Sequence, residues 1–431
     1  MPKRPLLSWV KKEKEDKIIT SKISINSTEL DFNLKKEISK TEEVKSILTC
    51  FECGKCTSSC PVEEQFPLNP HNITKLASVG AKDYVLKEEI LNICLTCNAC
   101  KVNCPQDVDL IEFIRFGRTL LKNQGIELQE THDGILKIIT EIQANRDKPP
   151  KMPADLIPEG CKVSEKGEVA YFVGCLPILN TVFENIEANS LEIAQNAIKI
   201  LNKILEKPPV ILKNAKCCGH DALWKGDFNT FKKLAEHNVN EINKVGIKTI
   251  ITTCAECYRT LKKDYPKYVE NVNFEVTHLS ELIAEKLKNN KLKFSENLEK
   301  KVTYHDPCRL GRHMNVYDPP REIISTMKEN GIIFTEMERS FDNSLCCGVS
   351  CFINCNDFSK ALQLDRLTEA KEVADLLVTT CPKCQIHYRC MQHEKKETAT
   401  SEINLEVSDL TILIARMMGL SEKKLEEKDN A

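Results

Sequence analysis

The chain has 431 residues, 61 basic and 63 acidic side chains for a net charge of −2, and 22 cysteines. That length supports two or three domains with real cores, so the cysteines are not needed as staples of a small secreted fold. Hydrophobic content of 41% and charged content of 29% describe a globular protein, and the near-zero charge argues against nucleic acid or anionic lipid as partner. No apolar run reaches the roughly 18 residues that span a bilayer, and the first residues lack the apolar stretch of a secretory signal. A reducing cytoplasm is therefore expected, where cysteines read as metal ligands before they read as disulfides.

Residues 1–45 hold no cysteine, and residues 1–22 carry seven Lys/Arg against three Asp/Glu. A solvated arm is expected there, with docking to an acidic partner as the alternative. Residues 46–150 form a small, mostly helical domain: Asp83–Ile93 and Val108–Phe116 repeat apolar residues at three and four, and a further helix is expected over 131–145. Prolines 149, 150, 153 and 158 mark a boundary and a linker over 151–166. Beyond it, strand candidates Val169–Val173, Val210–Leu212 and Lys248–Thr253 alternate with helical stretches around 188–206 and 228–244, an α/β arrangement with parallel strands. The same order recurs with Lys301–Tyr304 and Ala374–Thr380, so residues 167–300 and 301–420 read as an internal duplication. Residues 421–431 are a charged tail, expected to fray.

Eight cysteines fall in the helical domain as Cys50, Cys53, Cys56, Cys60-Pro61 and Cys94, Cys97, Cys100, Cys104-Pro105. This spacing, repeated with proline both times, is that of two-cluster ferredoxins. Three thiolates two residues apart wrap three corners of one cubane, and the fourth, before proline, reaches the other cluster. Cys50, Cys53, Cys56 and Cys104 are thus assigned to one 4Fe–4S cubane, and Cys94, Cys97, Cys100 and Cys60 to the second. Structural zinc, which usually takes two separated pairs of ligands, gains nothing from such runs. Two closed cubanes carry one electron each, so the expected role of this domain is electron delivery.

Ten more cysteines form a duplicated set: Cys175, Cys217-Cys218-Gly219, Cys254 and Cys257, then Cys308, Cys346-Cys347-Gly348, Cys381 and Cys384. The lone cysteine precedes the pair by 42 and 38 residues, and the pair precedes the CxxC by 36 and 34. Five thiols exceed the needs of one zinc or one ordinary cubane. Adjacent cysteines favour a bridged or opened cluster, and the following glycine lets the backbone approach a bulky group.

Tyr171–Cys175, His305–His313, Tyr317–Arg321, Cys346–Ser350 and Cys381–His387 resemble the CCG-domain iron–sulfur oxidoreductases. Among these they are most similar to the catalytic subunits of heterodisulfide reductases in which ferredoxin and CCG parts are fused. The resemblance covers residues from about 45 to 420. It implies an α-helical two-cluster ferredoxin domain followed by a duplicated α/β CCG domain, with a noncubane 4Fe–4S cluster on each five-cysteine set. Cys175, Cys217, Cys218, Cys254 and Cys257 would hold one, and Cys308, Cys346, Cys347, Cys381 and Cys384 the other. The implied activity is reduction of a disulfide, in the family the mixed disulfide of coenzyme M and coenzyme B of methanogenesis, by electrons relayed through the cubanes. The alternative within the resemblance is an electron-transfer subunit beside a flavin dehydrogenase for lactate, glycolate or glycerol 3-phosphate, or in a sulfite-reduction-associated membrane complex.

His305, Arg309, Arg312 and His313 surround Cys308, while His220 and His387 follow cluster motifs. They either orient an anionic disulfide and supply protons, or hydrogen-bond sulfurs and tune potential. Cys161, Cys351, Cys355 and Cys390 have no assigned role; Cys351 and Cys355 are expected on one helix. No GxGxxG follows a strand, so no flavin or NAD site is supported. Electrons must then come from another subunit, a flavoprotein or a membrane cytochrome, which would also account for a peripheral place on the cytoplasmic membrane face.

Overall fold

The computed structural model describes residues 30–63, 69–148, 151–394 and 403–421. The basic stretch 1–22 and nearly all of the charged tail lie outside these. The chain forms two units, one of Met1–Ile138 with Asp221–Phe228 and Leu345–Asp365, the other of Ile139–His220, Asn229–Ser344 and Arg366–Ala431.

The first unit is helical. Helix α1, Phe32–Lys40, starts where Asp31 accepts hydrogen bonds from the backbone of Asn33 and Leu34. It buries Leu34 and Ile38 in the core, so this part of the expected arm is docked rather than solvated. Helix α2, Pro70–Val79, is capped by Asn69 and opened by proline at its first position. Helix α3, Leu110–Asn123, is capped by Asp109 and buries Leu110, Phe113, Ile114, Arg118 and Leu121 on one face. Asp83–Ile93, expected as one helical pattern, is two short turns, Lys82–Val85 and Glu88–Ile93. Helices this short are unstable alone, and core burial of Val85, Ile90 and Leu91 holds them.

The expected helix carrying both Cys351 and Cys355 does not form. Cys351 and Phe352 have φ of +52° and +57°, and the helix begins only at Asp357. The Ser350 N–H donates to Asn354 Oδ1 at 2.9 Å, a local bond that competes with helical pairing. Ile353 enters the first unit's core from this segment.

The second unit contains the sheets of both repeats, each four-stranded, parallel and of the same order. β1 (Val169–Tyr171), β2 (Val210–Ile211), β3 (Thr249–Thr252) and β4 (Glu275–His278) run β2-β1-β3-β4, and β5 (Lys300–His305), β6 (Ile332–Phe334), β7 (Leu376–Thr379) and β8 (Glu406–Asp409) run β6-β5-β7-β8. The duplication extends to side chains: Tyr171 Oη pairs with Thr253 Oγ1 at 3.0 Å, and Tyr304 Oη with Thr380 Oγ1 at 2.7 Å.

Each repeat also covers the other. Helix α4 (Ser190–Ile204) packs on α7 (Leu410–Met417), and α5 (Leu279–Lys288) packs on α6 (Asp318–Thr326). Ile198, Leu201, Ile283, Ile323 and Leu413 thus share one core, and each such side chain contributes about 1.5–3 kcal/mol on full burial. The stretch expected as a linker docks here too, with Leu156 in the core and Ser164 bridged to Val210. Among the described residues no helix is long and apolar enough to cross a membrane.

Candidate metal centres

In the first unit the ferredoxin-type cysteines gather crosswise. Cys60 lines a small cavity of about 30 Å³ together with Cys94, Cys97 and Cys100, walled by Val62, Ile73, Leu110 and Ile114. Burial pushes the Cys100 thiol far up, and the charges of Cys94, Cys97 and Cys60 add to it. Burial likewise raises Cys56, whose sulfur neighbours are Cys50 and Cys104. Backbone N–H groups already face the sulfurs: Glu52 N donates to Cys50 Sγ, Thr96 N to Cys94 Sγ and Val108 N to Cys104 Sγ, each at 3.4 Å. The φ of +61° at Glu52 and +47° at Thr96 accompanies this turn in both runs. Four thiols around one cavity, with donors aimed at sulfur, fit a thiolate-held cluster.

The two runs differ in exposure. Phe51 is 57% exposed and Cys53 lies at the surface, whereas Thr96 and Cys97 are buried.

In the second unit Cys175, Cys254, Cys308 and Cys381 sit where an open parallel sheet binds ligands, beyond the carboxyl ends of strands at the point where the strand order reverses. Cys175 follows β1 and Cys254 follows β3, while Cys308 follows β5 and Cys381 follows β7. Gly174 has φ +63°, and a Cβ on it would lie 3.1 Å from Cys257 Sγ, so only glycine lets the two loops meet. Cys257 Sγ is 3.4 Å from Cys218 Sγ, and Cys217 is perturbed by Cys218 and Cys175. Cys254 is linked to Cys257. All five thiols of the first set therefore converge. Hydrogen bonds from Cys217 and Cys257 pull the Cys218 thiol down to about 5, a thiolate suited to ligation.

Buried polar groups hold the adjacent pair. Cys217 N donates to Gln143 Oε1 at 3.0 Å, Asn238 Nδ2 donates to Cys217 O at 3.1 Å, and Tyr265 Oη donates to Cys218 O at 3.1 Å. None of these three was anticipated, because only the tertiary fold brings them to the pair.

Of the second set, Cys308, Cys381 and Cys384 belong to this unit, while Cys346 and Cys347 belong to the segment of the first. Cys384 and Cys254 are both sulfur neighbours of Cys381 and perturb its thiol, so the CxxC motifs of the two repeats lie side by side. Lys383 Nζ and Glu256 Oε2, each inside one of these motifs, pair at 2.5 Å.

The anticipated His and Arg residues divide. His220 shares a 2.9 Å hydrogen bond with Thr260 Oγ1 and lies 3.6 Å from Glu256. Burial, with Arg309, Lys383, Arg259 and His313 nearby, pushes it well below the ordinary imidazole range. Arg309 Nη1 is 2.8 Å from His313 Nε2, and Arg259 Nε is 3.2 Å from His313 Nδ1. His220, Arg309 and His313 thus gather in one basin, joined by Arg259 and Lys383, which the sequence did not single out. Arg312 instead donates to the carbonyls of Asp342 and Ser344, fixing the loop before Cys346. His305 is fully buried against Tyr388 and Arg366, and His387 is buried on the helix Pro382–His393.

A cysteine-rich domain model matches residues 169–262 and 302–389, and a 4Fe-4S dicluster domain model matches 49–109. The chain is 28% identical to a subunit of the dihydromethanophenazine:CoB–CoM heterodisulfide reductase of Methanosarcina mazei, covering 87% of this chain and 95% of the relative. It is 27% identical to a subunit of the fumarate reductase (CoM/CoB) of Methanothermobacter marburgensis, over 81% of this chain and 68% of that one. It is 26% identical to the probable iron-sulfur-binding oxidoreductase FadF of Bacillus subtilis, over 90% and 62%.

Proposed function

The chain belongs to the cysteine-rich, CCG-domain iron–sulfur oxidoreductases with a 4Fe–4S dicluster domain, and we propose that it reduces a small-molecule disulfide as the catalytic subunit of a heterodisulfide reductase-like complex. The observation that carries this reading is the meeting of the two CxxC motifs, whose inner residues Lys383 and Glu256 pair at 2.5 Å, with Cys254 a sulfur neighbour of Cys381, so that thiolate ligands of both repeats lie at one place. A disulfide has two sulfurs to engage, and a carrier subunit has no use for two such sets side by side. In this reading each five-cysteine set holds a noncubane cluster, and the clusters when bound supply two one-electron reductions of an S–S bond.

The chain's own residues would orient and protonate. Arg259, Arg309 and Lys383 attract an anionic substrate tail. His220, buried beside Thr260 Oγ1 at 2.9 Å and Glu256 at 3.6 Å, would relay a proton towards a departing thiolate. Gln143, Asn238 and Tyr265 keep the Cys217-Cys218 peptide in place. The mixed disulfide of coenzyme M and coenzyme B, named in the Methanosarcina relative, is the first substrate to try. Electrons would arrive from a flavoprotein or cytochrome subunit.

The similarity to the Methanothermobacter fumarate reductase chain and to FadF favours a second reading, an electron-transfer subunit beside another catalytic chain. Anaerobic purification separates the two. Four clusters predict about 16 irons, an EPR signal induced by a thiol substrate under oxidising conditions, and disulfide turnover with an artificial donor. Cys217→Ser should abolish turnover and leave the cubane signals. About eight irons, or wild-type turnover in Cys217→Ser, would overturn the catalytic assignment, and full iron without turnover or thiol signal would favour the carrier.

A further inference from the structure

The two ferredoxin-type runs share one backbone turn and use its third position differently. In the first run this residue is Glu52, which faces solvent and pairs with Lys75 at 2.9 Å. In the second it is Thr96, which is wholly buried and whose Oγ1 lies 3.0 Å from Ser350 Oγ. Ser350 comes three residues after Cys347. A second link brackets the same turn: Asn354 Oδ1 accepts from Ser350 N at 2.9 Å, and Asn354 Nδ2 donates to Ile93 O, just before Cys94, at 3.4 Å. A third anchor follows, with Thr131 donating to Phe352 O from both N and Oγ1 at 2.8 Å. All of these residues lie in the first unit.

The segment is also held against its own preference. Cys351 and Phe352 keep left-handed backbone, φ +52° and +57°, which persists in non-glycine residues only where surroundings impose it. Such a conformation turns Ser350 towards Thr96 and Phe352 O towards Thr131. At the first run, by contrast, Phe51 and Cys53 are exposed.

Building on the catalytic reading above, we infer that Thr96 and Ser350 are positioning residues for electron transfer, forming the contact by which electrons pass from the group that Cys60, Cys94, Cys97 and Cys100 would hold to the group held through Cys346 and Cys347. The path runs from Cys97 through Thr96, across the hydroxyl–hydroxyl hydrogen bond, and along Ser350, Val349 and Gly348 to Cys347. In each passage one electron leaves the group held by Cys60, Cys94, Cys97 and Cys100 and reduces the group held through Cys346 and Cys347. No bond forms or breaks and no proton moves in this step; cleavage of one S–S bond takes two electrons, both supplied by the reduced partner subunit. The exposed first run is then the side that receives electrons.

The test uses the full chain, anaerobically loaded, with dithionite as donor. Thr96→Val, Ser350→Ala and the conservative Thr96→Ser are compared with the parent by iron count, equilibrium EPR and freeze-quench EPR. Expected are unchanged iron and equilibrium signals, unchanged reduction of the cubanes, and several-fold slower appearance of the reduced second-repeat signal in Thr96→Val and Ser350→Ala. Thr96→Ser should restore the parental rate, which a purely packing role for Thr96 would not require. If Thr96→Val fails to take up full iron, Ser350→Ala decides alone. Parental onward rates in Ser350→Ala, or no recovery in Thr96→Ser, would overturn the inference. Parent protein with only about eight irons would instead remove the catalytic reading on which it rests.

Discussion

Lys383 and Glu256 join the two repeats: the ammonium inside Cys381–Cys384 meets the carboxylate inside Cys254–Cys257 at 2.5 Å, with side chains only 7% and 13% exposed. Removing one partner of a buried pair strands the other charge and costs about 3–5 kcal/mol, whereas removing both costs far less. Lys383→Met should therefore lower the urea midpoint of the full chain strongly, and adding Glu256→Gln should recover most of the loss. A double variant as unstable as the single would show that Lys383 acts by packing alone.

Asp409 supplies a pH dependence. It ends β8 and caps α7, with Oδ1 accepting from Thr411 N at 2.8 Å and Oδ2 buried without a hydrogen bond among the described residues. Burial pushes its carboxyl from 3.8 up to about 7. A raised folded-state value means that the stabilising contribution is full below 3.8 and is lost as pH rises through about 7. Asp409→Asn keeps a good cap and removes the charge. It should melt at higher temperature than the parent at pH 8.5, and the gap should shrink at pH 5.5. An equal gap at both pH values would count against the buried charge as its cause.

What could be read from the chain was what local spacing encodes. The ferredoxin runs and the paired five-cysteine sets are contiguous motifs, and Val169–Tyr171, Thr249–Thr252 and Leu376–Thr379 are apolar runs typical of buried parallel strands. The strands Glu275–His278 and Glu406–Asp409 were missed because they lie at sheet edges, and four residues with alternating polar side chains do not stand out. Glu256 and Lys383 were visible inside their motifs, but their pairing depends on the docking of two sheets. The turn at Cys351 was misread as helix because nothing local announces that Asn354 takes the Ser350 N–H. His305 and Arg312 were grouped with His313 by proximity in sequence, while the fold sends His305 into the core and Arg312 to the carbonyls of Asp342 and Ser344.

Gly226 tests how tightly its segment is seated in the first unit. Its φ is +88°, and a Cβ would lie 2.5 Å from the Arg118 carbonyl carbon and the Thr119 nitrogen. The obstacle is the backbone of α3, so no side-chain rotation relieves it. That helix also carries Arg118, whose guanidinium donates to Leu91 O at 2.6 Å, Cys94 O at 2.8 Å and Trp224 O at 2.7 Å. Gly226→Ala should cost about 2–4 kcal/mol from overpacking plus left-handed strain. Gly125, at φ +77° with nothing within 4 Å, is the control, where alanine pays only the backbone penalty of about 1–2 kcal/mol. Equal losses in denaturant midpoint at both sites would mean that the α3 contact is not tight.

The crossed assignment of Cys60 and Cys104 can be tested by iron counts in paired variants. Cys60 shares its cavity with Cys94, Cys97 and Cys100, and Cys104 is a sulfur neighbour of Cys56. Alanine at two ligands of one cluster removes that cluster once, whereas alanine at one ligand of each removes both. Cys60→Ala with Cys97→Ala should therefore lose about four irons, and Cys60→Ala with Cys53→Ala about eight. Uncrossed runs give the opposite ranking, because Cys60 and Cys53 would then share a cluster. The signal at stake also differs: Cys104→Ala should erase the cubane on the exposed side and leave the cubane beside Thr96, a loss that EPR of the reduced protein reads directly.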